Sequence, residues 1–214
     1  MIRLIQGHDS EQYPREMEAM FRARAAVFHR RLGWNVTVRK GREVDRYDAE
    51  NPLYVIAVDD DRGEVAGSAR LIPTTGPKTY GESFSDLFEE PIDLASATVW
   101  ECARFCIHPA VRASGSLRNA MRVSFEINLA VCEVGLRAGL TQIQTVYDQF
   151  VLKVYQHAPW RPTPIARSTR IGKLPAYVGV WDVTQRTLSE LRKASGIDRS
   201  VLEAAPVATL REVS

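Results

Sequence analysis

Arg24, Glu101 and Arg104 are charges placed where the surrounding pattern asks for hydrocarbon. A charge taken into a protein interior is costly unless an opposite charge or hydrogen bonds meet it, so such residues mark a built site. Met17, Met20, Phe21, Val27 and Phe28 recur at helical spacing over 14–32, and Arg24 falls on that apolar stripe between Phe21 and Phe28. Taken alone, Arg24 also fits a snorkelling side chain with a wet guanidinium. Glu101 and Arg104 lie in 98–107, TVWECARFCI, a run of β-branched and aromatic residues without Gly or Pro that reads as a strand. In a regular strand Glu101 shares a face with Val99, Ala103, Phe105 and Ile107, and Arg104 shares the other with Trp100, Cys102 and Cys106. Both faces are otherwise apolar, so the strand is expected to be central and covered on both sides. A β-bulge between the two charges would bring them to one side, as bulges beside active sites do. A carboxylate there can serve as a base, and a guanidinium can hold a carboxylate or phosphate in bidentate fashion.

The rest of the chain supplies the frame. The expected order is strand 1–6, helix 14–32, a long loop 33–52, strand 53–58, a turn at 59–64 and strand 65–72. Loop and short helical material fills 73–97, where Pro73, Gly76, Pro77 and Gly81 interrupt regular structure. Strand 98–107 is followed by helix 116–138, with Leu117, Met121, Phe125, Leu129 and Cys132 on one stripe and Gly139 at its end. Strand 140–147, helix 148–157, strands 162–168 and 175–182, and helix 184–195 complete the order. A hairpin first and helical connections later imply a mixed sheet with helices on both faces. Residues 1–197 are expected to form one domain, and 198–214 a tail, either a short helix or frayed.

Composition excludes several classes. The 214 residues suit a single core, and 45% hydrophobic with 25% charged residues is ordinary globular usage. No apolar run approaches the ~18 residues a membrane span requires, and 1–6 reads as a strand, not a signal sequence, so a cytoplasmic protein with no membrane partner is expected. Cys102, Cys106 and Cys132 fit a reducing compartment. Four residues of strand separate Cys102 from Cys106 by about 13 Å, too far for one metal or one disulfide. The histidines are scattered, and no metal set is expected. The net charge is only +2, but 102–125 and 149–181 contain no acid, while 43–64 carries eight acids and two arginines. That asymmetry points to an anionic partner on the C-terminal half. No recognition-helix or basic-aromatic strand pattern supports nucleic acid.

Nine residues in register over about eighty positions form the pattern: Arg24, Phe28, Trp34, Asp45, Asp48, Arg70, Phe84, Glu101 and Arg104. Their contexts are Arg24-x3-Phe28-x5-Trp34, EVDRYD with Asp45 and Asp48, GSARL with Arg70, then Phe84, and WECARF with Glu101 and Arg104. This set resembles the acyl-homoserine lactone synthases, the autoinducer-making enzymes of bacterial quorum sensing. The resemblance implies a single three-layer α/β (α+β) domain like the GCN5-related acetyltransferases. Its central twisted mixed sheet has a splayed notch between two central strands, where a thioester arm lies. It also implies the reaction. The amine of S-adenosyl-L-methionine attacks an acyl thioester, from acyl-carrier protein or acyl-CoA. The methionine carboxylate then displaces 5'-methylthioadenosine and closes the lactone. S-adenosyl-L-methionine is a substrate, and no cofactor is implied.

On that resemblance the site residues take roles. Glu101 is the candidate base for the amine, with Arg104, Asp45 and Arg70 completing the catalytic group. Arg24, Phe28, Trp34, Asp45, Asp48 and Arg104 are expected to hold S-adenosylmethionine: an arginine for its carboxylate, one of the two aspartates for its ammonium with the other capping or pairing with an arginine, and the aromatics around adenosine and sulfonium. Which arginine contacts substrate and which clamps the aspartate loop stays open in the sequence. Backbone N–H groups at 103–105 are the expected donors for the developing oxyanion. Phe84, Trp100, Phe105, Thr145, Val146 and Tyr147 are the expected acyl and pantetheine contacts, with Leu140, Ile143 and Val151 nearby. Arg112, Arg118, Lys153 and Arg161 are the expected carrier-docking cations. Ala158-Pro159-Trp160 stands where the family suggests a Gly-Trp turn. Two rivals remain: a GCN5-like N-acetyltransferase using acetyl-CoA on another amine, and a ligand-binding regulator on the same scaffold.

Overall fold

The computed structural model describes residues 1–59, 63–77, 95–113, 117–155, 158–169 and 174–202. Strand β1 (Ile2–Gln6) leads through a 3-10 turn, Gly7–Gln12, into helix α1 (Pro14–Arg24). Pro14 is suited to a helix start, where its missing N–H would have had no partner. The helical stretch expected over 14–32 is α-helical only to Arg24. Ala25–Arg31 winds as a π-helix, and the Leu32 N–H reaches back to the Val27 carbonyl at 2.9 Å. Wide turns of this kind survive where neighbours hold them, commonly beside functional sites.

The stretch expected as plain loop, 33–52, contains local structure. Strands β2 (Val38–Arg39) and β3 (Arg42–Glu43) form a tight ribbon across Lys40 and Gly41, whose φ values of 51° and 78° are those of a two-residue hairpin turn. A 3-10 turn, Arg46–Ala49, follows, capped by Asp45 and Asp48. Then come β4 (Leu53–Val58), β5 (Val65–Pro73), β6 (Val99–Ile107), a short helix α2 (Pro109–Ala113) and the long helix α3 (Leu117–Arg137). Strand β7 (Gln142–Asp148), α4 (Gln149–Tyr155), β8 (Thr163–Ser168), β9 (Ala176–Asp182) and α5 (Gln185–Ser195) complete the described chain.

Seven strands make one mixed sheet in the order β1-β4-β5-β6-β7-β9-β8. Every pairing is antiparallel except β6 with β7. Alternation along β4 shows the layers. Leu53, Val55 and Ala57 join the core with Ile127, Ala130 and Val134 of α3 and Leu188 and Leu191 of α5. Tyr54, Ile56 and Val58 join Met17, Met20 and Phe21 of α1 on the other face. The sheet is thus covered on both sides, as the apolar strands required.

The stripe expected on α3 is corrected at its start, because Leu117 and Met121 are exposed. The buried face runs through Val123, Ile127, Ala130, Val131 and Val134. Two apolar series at helical spacing exist in this segment, and only contact with the sheet selects between them. On the far side, Glu133 accepts from Arg192 of α5 at 3.0 Å and from Ser200 at 2.5 Å. The stretch 198–202 then runs back to β1, where the Ile2 N–H meets the Val201 carbonyl and Leu202 bridges Ile2. The remainder of the expected tail lies outside the described residues.

Two features of β6 make the notch. Its parallel ladder with β7 covers only Val99, Trp100 and Glu101 against Gln142, Ile143 and Gln144, although β6 continues to Ile107 and β7 to Asp148. On its other edge the register jumps from Arg70↔Ala103 to Ser68↔Cys106, so β6 carries one residue more than β5 across the step. The β5 strand presses against α3 at Gly67, where an added Cβ would stand 2.9 Å from Val123 Cγ1, 3.0 Å from Ile127 Cδ1 and 3.0 Å from the Cys106 carbonyl oxygen. Gly67→Ala is therefore expected to destabilise by about 1–3 kcal/mol through overpacking, lowering the melting temperature by several degrees in a thermal denaturation scan.

Candidate functional site

The bulge is the first step in assembling the site. Arg104 has φ 55°, in the left-handed region that non-glycine residues occupy only under constraint. Before it, Trp100 and Cys102 point into the core beneath α3. After it, Cys106 packs with Ala23, Val27 and Phe28 of the first helical stretch. The bulge thus switches the faces, and Glu101 and Arg104 both come to the α1 side. Arg104 and Phe105 are paired with no residue of β5 or β7.

On that side three guanidinium groups meet three carboxylates. Arg24 Nε donates to Glu43 Oε2 at 2.5 Å, and its Nη1 and Nη2 donate to the two Asp48 oxygens at 2.8 and 2.9 Å. Arg70 grips Asp45 through Nη1 and Nη2 at 2.5 and 3.0 Å, and its Nη1 also reaches Asp48 at 2.9 Å. Arg104 donates to Glu43 Oε1 through Nε at 3.1 Å and Nη2 at 3.0 Å, and its Nη2 lies 2.8 Å from Asp45 Oδ2. Tyr54 adds a hydroxyl donor to Asp48 at 2.9 Å. The formal charges cancel, and the Arg24–Asp48 and Arg70–Asp45 pairs meet fork to fork.

The cluster is graded from dry to wet. The Arg24 and Arg70 side chains are 1% exposed, Arg104 9% and Asp45 16%. Burial opposes the charge on Arg24, but Asp48 and Glu43 outweigh it and hold the guanidinium above its ordinary range. Burial likewise pushes the Asp48 carboxyl up, yet Arg24 and then Arg70 overcome this and hold it well below the usual carboxylate range. Arg70 is raised despite its burial, chiefly by Asp45 and Asp48. Its Nε is buried with no hydrogen-bond partner among the described residues. Aromatic rings flank the wet edge: the Phe28 ring lies 5.4 Å from Arg104 Cζ and 5.4 Å from the Trp34 ring, tilted by 40°. Trp34 is half-buried.

The structure therefore brings together Arg24, Phe28, Trp34, Asp45, Asp48, Arg70 and Arg104. Glu101 is buried on the same face of β6. Trp100 and Tyr147 are buried in the α3-side core, with Phe105 packed against it, while Thr145 and Val146 are half-buried on β7. Phe84 lies outside the described residues, and Arg112 is described only as part of α2. Arg118, Lys153 and Arg161 are exposed, the first two on the helices that follow β6 and β7. These helices start at the end where the two strands diverge.

Sequence reasoning missed Glu43. It is fully buried and joins Arg24 to Arg104, yet its local sequence, Gly-Arg-Glu-Val-Asp, looks like solvated loop. The turn at Lys40-Gly41 was the available signal, since it folds β3 back and points Glu43 inward. Burial pushes the Cys102 thiol up to about 12 and raises Cys106 as well, so neither is a ready thiolate nucleophile. Among the described residues no group of three His, Cys, Asp or Glu side chains is arranged to hold a metal ion. A cavity of about 1060 Å³ lies at the β4–β5 hairpin end, lined by Met1, Arg15, His108, Arg122 and Glu126 among others. No member of the ion cluster lines it. Among the described residues no helix is long and apolar enough to cross a membrane.

The mixed sheet with a bulged central strand and a splayed parallel pair is the GCN5-related acetyltransferase-like fold expected from the sequence. An N-acetyltransferase designation attaches to one solved Lactobacillus plantarum structure of this fold, which shares 15% identity and a TM-score of 0.53 over 86% of this chain and 99% of its own. The sequence model of the autoinducer synthase family matches residues 8–191, and the chain belongs to that family. An acyl-homoserine-lactone synthase from Rhizobium etli is 43% identical over 208 residues, covering 96% of this chain and 94% of the relative. A CoA-dependent acyl-homoserine lactone synthase, BjaI, solved with SAM and isopentyl-CoA, superposes with a TM-score of 0.82 at 25% identity over 99% of each chain.

Acid should attack the cluster through Asp48. Its native carboxyl ionises more readily than the unfolded one, whose ordinary value is 3.8. The pairing therefore stabilises the fold above that value and is lost as the pH falls through the depressed native one. Melting temperature is expected to fall progressively below about pH 5, and Asp48→Asn, already destabilised at neutral pH, should show a flatter decline. Parallel curves for both proteins would remove Asp48 as the acid-sensitive group.

Proposed function

We propose that this chain is an acyl-homoserine lactone synthase that uses S-adenosyl-L-methionine and an acyl thioester from acyl-carrier protein or CoA. The observation that carries the reading is the neutral ion cluster opening at Asp45 and Arg104 beside the notch, in a chain of the autoinducer synthase family. A doubly charged amino acid and an acyl arm would approach from these two directions.

Arg24 is enclosed by Glu43 and Asp48, so its role is to clamp the 33–52 loop. Asp48 is shared between Arg24 and Arg70 and sets their spacing. Asp45 and Arg104, at the wet edge, contact the substrate's ammonium and carboxylate, and Arg70 Nε is the spare donor behind them. Phe28 and Trp34 wall the sulfonium and adenosine by cation–π attraction of order 1–2 kcal/mol when dry. Glu101, buried beside the notch, takes the proton from the attacking amine. The nitrogen then bonds to the thioester carbon and the thiol leaves. Backbone N–H groups at the Arg104 bulge face the charge that develops on the carbonyl oxygen. The carboxylate next attacks the carbon beside the sulfonium, releasing methylthioadenosine and closing the lactone.

The acyl chain is received by Trp100, Tyr147 and Phe105 of the α3-side core and by Thr145 and Val146 of β7, with Phe84 assigned there on the sequence pattern. Arg112, Arg118, Lys153 and Arg161 form the docking face for an acidic carrier. A cytoplasmic location is part of this reading, supported by substrates that are cytoplasmic metabolites and by three cysteines that are free thiols.

Incubation with S-adenosylmethionine and a panel of acyl-carrier-protein and acyl-CoA donors, read by mass spectrometry, should yield lactone and methylthioadenosine together. Thiol release without methylthioadenosine would instead identify an N-acetyltransferase, and ligand binding with neither product a regulator. Glu101→Gln is expected to lower turnover by about 10²–10⁴-fold with an unchanged melting temperature; near-normal activity would remove it as the base. Lys153→Glu combined with Arg161→Glu should raise KM for a carrier-protein donor far more than for CoA. Equal effects would move the docking face elsewhere.

A further inference from the structure

Gln144 is a polar side chain that none of the assigned roles uses. It is fully buried, and neither Nε2 nor Oε1 has a hydrogen-bond partner among the described residues. Buried carboxamides without partners are rare in native interiors, because water once satisfied both atoms.

Its position in the sheet is specific. Gln144 is the last residue of β7 paired with β6, directly opposite Glu101. Residues in register on neighbouring parallel strands present their side chains to the same face, about 5 Å apart. Ile143, next to Gln144, points into the α3-side core, as do Trp100 and Cys102, which flank Glu101. Gln144 and Glu101 therefore stand side by side on the α1 face, at the apex where the strands part. Of the proposed slot residues, Trp100 and Tyr147 sit on the opposite face, while Val146, two residues along β7, shares the face of Gln144.

We infer that Gln144 is a substrate-contacting residue of the acyl-transfer step, its Oε1 accepting from the attacking amine and its Nε2 donating to the thioester carbonyl oxygen. The inference rests on the synthase reading above. The two atoms match the two reacting partners: a nitrogen that carries N–H and an oxygen that gains negative charge. Gln144 takes no proton, since the carboxamide is neutral throughout; the amine proton goes to Glu101. An amide that is buried and has no partner among the described residues is already desolvated, so it meets the transition state with little reorganisation.

The test uses two variants of the full chain. Gln144→Leu keeps the approximate volume and removes both polar atoms. Its melting temperature is expected to match or exceed that of the parent, while kcat for lactone formation falls about 10–100-fold with KM for S-adenosylmethionine changed less. Gln144→Glu places a second carboxylate beside Glu101, and the pair should share a proton, moving the acid limb of the pH–rate profile to higher pH. Parental kcat in Gln144→Leu, a loss of activity matched by a loss of melting temperature, or an unmoved acid limb in Gln144→Glu would each overturn the inference. Absence of lactone from the parent with every donor would overturn the synthase reading itself and this inference with it. An active parent with an equally active Gln144→Leu would overturn this inference alone.

Discussion

Charge compensation in a dry place organises this protein. Three arginines from α1, β5 and β6 and three acids from the 33–52 stretch form one neutral lattice at the edge of the core. None of the six could be buried singly, and breaking one pair strands its partner. That mutual requirement holds 33–52, which has only a two-residue ribbon and one 3-10 turn of its own, against the sheet. Buried ion pairs contribute little net stability compared with well-packed hydrocarbon. What this lattice does contribute is position: it fixes Asp45 and Arg104 at the wet rim and the Phe28–Trp34 pair beside them.

The sheet divides the labour between its faces. The parallel pair β6–β7 opens after three residues, and the extra residue of β6 turns Arg104 toward α1. The ionic half of the groove lies on the α1 face and the apolar half on the α3 face. A splayed notch is common property of this fold class and does not name a substrate. The lattice beside it, with its aromatic rim, is the feature on which the proposed pocket for a charged, sulfur-bearing amino acid rests. Gln144 and Glu101 sit side by side at the last paired position of β6 and β7, where the proposed mechanism has the amine and the acyl carbon meet.

Much of this was legible in the sequence. Strand and helix periodicity located the elements to within a few residues, because apolar spacing records which face meets the core. Arg24, Glu101 and Arg104 stood out because each interrupts such a pattern, and the bulge followed from their incompatible spacing on a flat strand. Three features were not visible. Leu117 and Met121 shared a helical series with truly buried residues, and only the sheet rejected them. The π-helical Ala25–Arg31 has the composition of ordinary helix. Glu43 lies in a stretch whose charge suggests solvent, and a two-residue turn sends it inward.

The sequence by itself marked many of the dry positions, Arg24 and Glu101 among them, and therefore several of the charges that had to find partners. It also determined the class of sheet, through strands apolar on both faces. Only the tertiary structure decided who the partners were. Arg24 could have met substrate, yet Glu43 and Asp48 enclose it; Gln144 could have paired locally, yet among the described residues its buried amide has no partner. The reason is physical. Burial is a local tendency written in periodicity, whereas ion pairing depends on register, on one extra residue in one strand, and on contacts between segments tens of residues apart.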